Sequence, residues 1–399
     1  MGIVVQKYGG SSVATTEKIK KVAETVVRRK RQGEKMVVVV SAMGDTTDDL
    51  IALAKAVSEQ PDKREMDALL STGEMVSSAL LAMAVKALGE EAVSFTAYQL
   101  NILTTGQHGK ALIQDIDVQK IKDNLQEDKI VIVAGFQGIN DDGNITTLGR
   151  GGSDTTAVAL AYKLGGISEI YTDVDGIYCA DPRKLKNAKK LNHIHYEEML
   201  ELASLGAQVM HSRSIELGEK YGIPIYVGLS NSSIKGTVIK EVEAMESKPI
   251  TGIATSNEDI SVTIKNAEAD INILSRLFED IADKKISIDM ISQTAPIGGQ
   301  VNISFTIPKD DLKECMDILT SFTNTDNIIV DENITKFSVV GLGMKNTSGV
   351  AAKMFKLFCD NNIEVKMITT SEIRITCSIR REDELKAIEI VGCAFELKN

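Results

Sequence analysis

The sequence predicts an α/β protein, with a mainly parallel sheet covered by helices followed by two ferredoxin-like βαββαβ modules. Three observations carry that expectation. Short β-branched runs alternate with helical patterns as far as about Ile239, the pattern shortens after the charged stretch 240–248, and the runs beyond that stretch recur roughly 75 residues later.

In the first part, strand-like runs stand at residues 3–5, 36–40, 130–134, 169–172 and 225–227. Helical patterns lie near 16–32, 47–58, 67–88, 155–164 and 207–221. Strands separated by helices pair in parallel and are covered on both faces. Ligands of such sheets lie beyond the carboxyl ends of the strands, so the loops after Val5, Val40, Ala134 and Thr172 hold the functional position. In the second part, runs at 261–265, 288–292 and 301–307 have counterparts at 337–341, 365–369 and 373–379, with a helix after the first and third of each set. That is the order of a βαββαβ unit used twice. The chain thus divides into residues 1–240, 251–335 and 336–399, with a strand at 251–257 free to pair with the second repeat and a last short strand at 395–398. Paired units of this kind either sense ligands or dimerise a protein, and the residues alone do not choose between the two.

Composition narrows the class. The chain has 399 residues, 43% hydrophobic and 25% charged, as in ordinary soluble proteins of two or three domains. A net charge of −11 argues against broad binding to nucleic acid or anionic membranes, while a local basic pocket stays compatible. Cys179, Cys315, Cys359, Cys377 and Cys393 are odd in number, widely spaced and without a CxxC pair. Neither a zinc site nor a disulfide framework is expected, and a reducing cytoplasm fits. The chain opens directly on a strand-like run, and no apolar run reaches the roughly 18 residues that cross a bilayer, so neither secretion nor membrane insertion is expected.

The stretch Thr147-Leu148-Gly149-Arg150-Gly151-Gly152-Ser153-Asp154-Thr155-Thr156 joins a glycine-rich turn and an arginine to a helix start. Glycine lets the backbone approach a ligand, free amides and the helix dipole favour an anion, and the Arg150 fork suits a carboxylate or a phosphate. An ordinary loop capped by Ser153 or Asp154 stands beside that reading. Lys7-Tyr8-Gly9-Gly10-Ser11-Ser12 follows the first strand, as a phosphate cradle or as a plain turn with a solvated lysine. Small-residue loops recur at 41–44, beginning with Ser41, and at 135–138, which weakens the plain-turn reading. In Ser71-Thr72-Gly73-Glu74-Met75, Thr72 is a candidate N-cap, and Glu74 either meets the helix dipole or receives a substrate ammonium. Residues 171–183, YTDVDGIYCADPR, suit a nucleotide with Mg²⁺ or a turn equally well. No Walker motif, GxxxxGK[ST], occurs.

KYGGSSV at 7–13, Gly73-Glu74, TLGRGGSDTT at 147–156, TDVDGIYCADPR at 172–183 and LGAQVMHSRS at 205–214 stand in the order and context of the aspartokinases. The chain resembles that family, within the amino-acid kinase superfamily, over essentially its whole length. The repeated modules resemble tandem ACT domains, including VGLGM at 340–344 and ITTSE at 368–372.

The resemblance implies an amino-acid kinase fold and transfer of the γ-phosphoryl group of ATP to the β-carboxylate of L-aspartate. The products are 4-phospho-L-aspartate and ADP, the first step toward lysine, threonine and methionine. A carboxyl group with an ordinary pKa of about 3.9 is already ionised at neutral pH, so the attack needs no general base. By motif match, Lys7 and Asp154 serve catalysis, Asp154 by orienting Lys7 or the reacting groups rather than by abstracting a proton. Thr47, Glu74, Arg150 and Ser153 hold aspartate, with Arg150 on a carboxylate and Glu74 on the amine. ATP falls to Lys7, Gly9, Gly10, Ser41, Thr172, Asp173, Tyr178 and Arg183, with Mg²⁺ held through the phosphates and no protein ligand assigned, Asp173 standing as the candidate. Many aspartokinases carry a lysine where this chain has Gln208, and its role is not transferred.

The ACT resemblance implies feedback by an end-product amino acid, lysine first and threonine second. Candidate contacts are Asp270, Asn272, Ile288, Asp289 and Ser292, with helix capping and edge-strand duty as their plain explanation. A cytoplasmic homodimer through the ACT domains is implied, with a tetramer left open and neither nucleic acid nor membrane as partner. The end of the chain at Asn399 leaves no room for a dehydrogenase domain, as in a monofunctional form. A kinase for another amino acid, or an amino-acid sensor with a structural kinase-like half, stand as rivals.

Overall fold

The structure, a computed structural model, describes residues 2–206, 209–242 and 248–399. The chain forms two compact units, one of Met1–Ile177, Lys190–Ala203 and Gln208–Glu243, the other of Tyr178–Lys189, Ser204–Ala207 and Ala244–Asn399. The segment Tyr178–Lys189, inside the first stretch by sequence, thus packs with the second unit.

In the first unit the strands are β1 (Ile3–Tyr8), β2 (Lys35–Val40), β3 (Ala92–Phe95), β4 (Ile102–Thr105), β5 (Leu112–Ile116), β6 (Ile130–Ala134), β7 (Gln137–Ile139), β8 (Ile145–Thr147), β9 (Ile167–Thr172), β10 (His193–Ile194), β11 (Ile225–Leu229) and β12 (Thr237–Ile239). The main sheet runs β10-β12-β11-β9-β1-β2-β6-β3. It is parallel from β11 to β3, while β12 turns antiparallel against β11 at one side. Alternate residues face opposite sides of a strand, and here both sides are covered. Val4, Tyr8, Met36, Val38, Ile130 and Ile132 pack with Val22, Val26, Leu81 and Val85 of the helices Thr16–Arg31 and Thr72–Ala87. Val5, Val37 and Val39 are equally buried on the other face, where the helix Gly152–Leu164 packs against β1, β2 and β9. Each such side chain contributes about 1.5–3 kcal/mol by leaving water. A small sheet, β5-β4-β7-β8, carries the loop that leads to Arg150.

The helix expected over 67–88 is two helices, Lys63–Leu70 and Thr72–Ala87. The hydroxyls of Ser71 and Thr72 donate to the carbonyls of Ala68 and Leu69, so Thr72 turns back on the preceding turn instead of capping the next one. The span Lys63–Ala87 is long and apolar enough to cross a membrane by length and composition. Its Leu81, Ala82 and Val85 are core residues of the first unit.

In the second unit the strands are β13 (Gly252–Ser256), β14 (Asp259–Glu268), β15 (Ile291–Gln293), β16 (Gln300–Pro308), β17 (Ile328–Asp331), β18 (Ile334–Val340), β19 (Val365–Thr370) and β20 (Arg374–Arg380). They form two antiparallel sheets, β15-β16-β14-β17 and β13-β18-β20-β19. Ile260, Val262 and Phe305 of the first sheet bury Leu277 and Ile281 from one helix and Cys315 and Leu319 from another. In the second sheet, the edge beside β18 is taken by β13, which precedes both modules in the chain. The expected last strand at 395–398 accordingly does not form: a helix runs to Ala394, Glu396 takes φ 56°, and Lys398 makes only an isolated bridge to Ala188.

Candidate active site

Lys7 is the residue before the end of β1, and its strand position points it to the loops at the carboxyl edge of the sheet. It is 8% exposed, and its Nζ lies 2.7 Å from Oδ1 of Asp154, in the first turn of the helix Gly152–Leu164. The preceding residue of that helix, Ser153, shares a 2.7 Å hydrogen bond between hydroxyls with Ser41, the residue after β2. The helix is capped by Gly151 without a side-chain hydrogen bond, so neither Ser153 nor Asp154 is a cap. Both instead reach other loops.

Glu74 completes this cluster from the first turn of the helix Thr72–Ala87. Its Oε1 accepts the amide of Ala42 at 3.1 Å, while Oε2 is buried without a hydrogen-bond partner among the described residues. Burial pushes the Glu74 carboxyl up to about 7, against smaller opposing effects of the Ala42 amide and Lys7. Ser77, one turn on, donates its hydroxyl to the Ser41 carbonyl at 2.7 Å, locking helix and loop together. The geometry therefore brings together Lys7, Ser41, Glu74, Ser153 and Asp154 from two strand ends and two helix starts.

Arg150 is exposed on the loop between β8 and that helix. Gly149 and Gly151, on either side, have φ of 77° and 70°, a conformation that a side chain would strain. A Cβ on Gly149 would also stand 2.8 Å from the Gly109 carbonyl oxygen. The loop is held by residues whose part in it the sequence does not single out. Asp67, 1% exposed, accepts the Thr147 hydroxyl at 2.6 Å and the Gly109 amide at 3.0 Å. Arg213 donates to the Leu148 and Ala111 carbonyls, each at 2.8 Å. Phe136, with φ 69°, accepts the Leu148 amide at 2.8 Å. A bulky residue in that region is strained, as occurs at functional sites. Asp67 is hidden in the sequence because an aspartate inside a helix pattern looks solvated, and Arg213 because its contacts are main-chain atoms far away along the chain.

The other expected site residues are more dispersed. Gly9 donates its amide to the Tyr171 carbonyl at 3.2 Å, and Gly10 accepts the Gly44 amide at 3.1 Å, which ties the first loop to β9 and to the loop after β2. Thr172 ends β9 and donates its hydroxyl to the exposed Asp173. Thr47 lies half-buried in the first turn of the helix Thr46–Val57. Tyr178 and Arg183 belong to the second unit, where the Arg183 guanidinium is exposed and forks onto Asp181 at 2.8 and 3.0 Å. Gln208 lies outside the described residues.

Of the candidate effector contacts, Asp270 caps the helix Ile271–Asp283 by accepting the Asn272 amide at 2.9 Å, and it also accepts the Asn272 side chain. Asp289 is 2.7 Å from Lys336. Ile288 packs against the core of the first module, and Ser292 lies exposed on β15 opposite Ser304. Among the described residues, no group of three or more metal-ligating side chains converges.

The amino acid kinase family matches residues 2–228, and the ACT domain matches 269–321 and 337–395. The chain is 47% identical to an aspartokinase of Bacillus sp. (strain MGA3) and 45% identical to aspartokinase 2 of Bacillus subtilis, in each case over 100% of this chain and 98% of the relative. Its fold is that of E. coli aspartokinase III, solved in complex with aspartate and ADP, with a TM-score of 0.81 at 23% identity over 98% of this chain and 99% of that one. The chain belongs to the aspartokinases, kinases that join an amino acid kinase fold to ACT domains.

Proposed function

We propose that this aspartokinase transfers the γ-phosphoryl group of ATP to the β-carboxylate of L-aspartate, giving 4-phospho-L-aspartate and ADP. The observation that carries the reading is Glu74, a buried carboxyl with one oxygen satisfied and the other open. Leaving such an acceptor unmade costs about 1–3 kcal/mol, and an ammonium both neutralises and hydrogen-bonds it. Arg150 supplies the opposite charge for the α-carboxylate of the same amino acid, and Thr47 and Ser153 add polar contacts. The β-carboxylate attacks as it stands, since its ordinary pKa of about 3.9 leaves it ionised. What the protein must do is hold two anions together, and Lys7, oriented by Asp154, offers the counter-charge on the phosphoryl oxygens.

The motif match assigns Gly9, Gly10, Ser41, Thr172, Asp173, Tyr178 and Arg183 to the nucleotide. Asp173, exposed at the carboxyl end of β9, has the oxygen donor that Mg²⁺ prefers. Mg²⁺ bound with a nucleotide takes most of its ligands from phosphates and water. When bound, Mg²⁺ neutralises phosphate charge. The product serves the route to lysine, threonine and methionine, and lysine, with threonine second, is the effector proposed for the ACT modules. We place the enzyme in the cytoplasm, consistent with its five free cysteines, as a homodimer through those modules or a tetramer.

Aspartate, glutamate and N-acetylglutamate offered separately with ATP and hydroxylamine test the substrate. A hydroxamate is expected with aspartate, and no ATP-dependent product from aspartate refutes the reading. Arg150→Ala is expected to raise KM for aspartate about 100-fold while KM for ATP stays within about two-fold, because a charge-assisted fork to one substrate is lost. Equal losses for both substrates return Arg150 to a general anion role.

A further inference from the structure

Two side chains, Asp67 and Arg213, hydrogen-bond to the segments that lead to Arg150. Asp67 is buried in the helix Lys63–Leu70, whose other residues are at least partly exposed. One of its carboxylate oxygens accepts the Thr147 hydroxyl at 2.6 Å. The other accepts the Gly109 amide at 3.0 Å and lies 2.8 Å from Nδ1 of His108. Thr147 is the last residue of β8, so the chain reaches Arg150 after only Leu148 and Gly149. Arg213 grips the same loop from the helix Ser212–Tyr221, with one arm on the Leu148 carbonyl and the other on that of Ala111. The Ala111 amide in turn donates to the Thr147 carbonyl at 3.0 Å.

These contacts join two stretches, Gly109 to Ala111 and Thr147 to Leu148, through opposite charges on the two sides. A buried carboxylate that accepts several hydrogen bonds and an arginine fork on two carbonyls are both rigid, because each group loses strong bonds if the loop shifts. An exposed arginine on a glycine-flanked loop has no comparable stiffness of its own.

We infer that Asp67 and Arg213 are positioning residues for aspartate recognition, which hold the main chain before Arg150 so that its guanidinium meets the substrate carboxylate. The inference rests on the aspartate role of Arg150 proposed above. Misplacing a charged group by about 1 Å costs on the order of 10²-fold in rate.

The test is steady-state kinetics of the full chain with Thr147→Val, Thr147→Ser, Asp67→Asn and Arg213→Gln, each also combined with Arg150→Ala. Thr147→Val is expected to raise KM for aspartate about 10-fold and Asp67→Asn and Arg213→Gln about 10- to 100-fold, with KM for ATP within about two-fold. Thr147→Ser keeps the hydroxyl and should restore the wild-type value. On the Arg150→Ala background the same changes should add nothing further to the aspartate KM, since what they position is gone. Equal rises in both Michaelis constants, or effects that add fully to Arg150→Ala, overturn the inference and leave a purely structural role. Should Asp67→Asn fail to fold, the Val and Ser variants at Thr147 decide for Asp67, and should Arg213→Gln fail, Arg213→Lys, which keeps a donor for one of the two carbonyls, takes its place with the same expected rise in aspartate KM. A wild-type chain that forms no ADP with aspartate sinks the kinase reading and this inference with it. A competent wild type whose Thr147→Val variant keeps its aspartate KM sinks only the inference.

Discussion

In the first unit, the carboxyl of Glu74 lies buried with an oxygen that no described group fills; in the second, the buried ammonium of Lys336 is gripped by Asp259 at 2.9 Å and Asp289 at 2.7 Å. Both are charged residues taken out of water, and they end up in opposite conditions. Lys336 has found its partners within the fold, on β14 and just before β15. Glu74 keeps an open acceptor through the same folding process, and the burial raises its pKa. Unpaired buried groups are costly enough to be rare in structure that serves only packing. The kinase unit therefore holds unfilled polar capacity where substrate is proposed to bind. The candidate effector acids of the other unit each already accept a bond from the chain itself on one oxygen, Asp270 from Asn272 and Asp289 from Lys336. An effector ammonium at Asp270 or Asp289 would share the carboxylate with that partner.

The contrast is broken most severely at Lys7. Lys7→Met is expected to lower kcat about 10³-fold, the scale of losing a pre-aligned charge at a transferring group, while leaving the fold intact by far-ultraviolet circular dichroism. A variant with wild-type kcat would make the Lys7–Asp154 pair structural, like that of Lys336.

Glu74→Gln should come next, lowering kcat/KM for aspartate about 10²-fold at pH 8 through loss of the charged partner of the ammonium. Its pH behaviour is the sharper measurement. The carboxyl is raised from 4.5 to about 7, so the native chain holds a proton that the unfolded chain releases. Its contribution makes the unliganded protein lose stability as pH rises between those values, and then level off. Aspartate binding needs the ionised form, so kcat/KM for aspartate should rise with pH up to about 7. Both slopes should vanish in the Gln variant, and a variant that retains them assigns them to another group.

In the second unit the corresponding change is one of stability. Lys336→Met leaves two carboxylates facing each other, and the expected loss is about 2 kcal/mol, less than the 3–5 kcal/mol typical of a fully buried pair because the Asp289 side chain is 37% exposed. Urea unfolding of the full chain measures it. Double replacement by Lys336→Met and Asp289→Asn should recover part of the loss, and a single variant as stable as wild type would show that the pair contributes nothing.

The sequence disclosed these two regions unequally. Glycine positions such as Gly149 and Gly151 were legible because positive φ demands glycine, whereas Lys7 and Arg150 stood out only through the linked motifs around them, since a lysine or arginine beside a glycine turn is as readily a solvated one. The parallel sheet was legible in its apolar runs, since burial on both faces leaves no alternation to hide. The repeat was legible, but the strand that flanks β18 was not fixed by local pattern: the edge is open both to residues 252–256 and to 395–398, and only tertiary packing selects the former. The break at Ser71 escaped because hydroxyl groups bonding back to carbonyls leave the helical periodicity unchanged. Asp67 and Arg213 escaped because their partners come from distant segments, the Thr147 hydroxyl and the Gly109 amide for the one and two carbonyls for the other.

The smallest expected effect separates the two uses of Asp270. As a helix cap, its Oδ1 accepts the Asn272 amide, and asparagine offers the same carbonyl-type oxygen without the charge. Asp270→Ala should therefore cost about 1 kcal/mol and Asp270→Asn only a few tenths, by urea unfolding. An effector ammonium, in contrast, would depend on the charge and lose affinity in both variants. Inhibition curves with lysine and with threonine decide between the roles: a cap alone predicts that Asp270→Asn keeps the wild-type inhibition midpoint. A midpoint raised about 10-fold or more in the Asn variant, with stability unchanged, would mean that the charge of the acid also holds the effector.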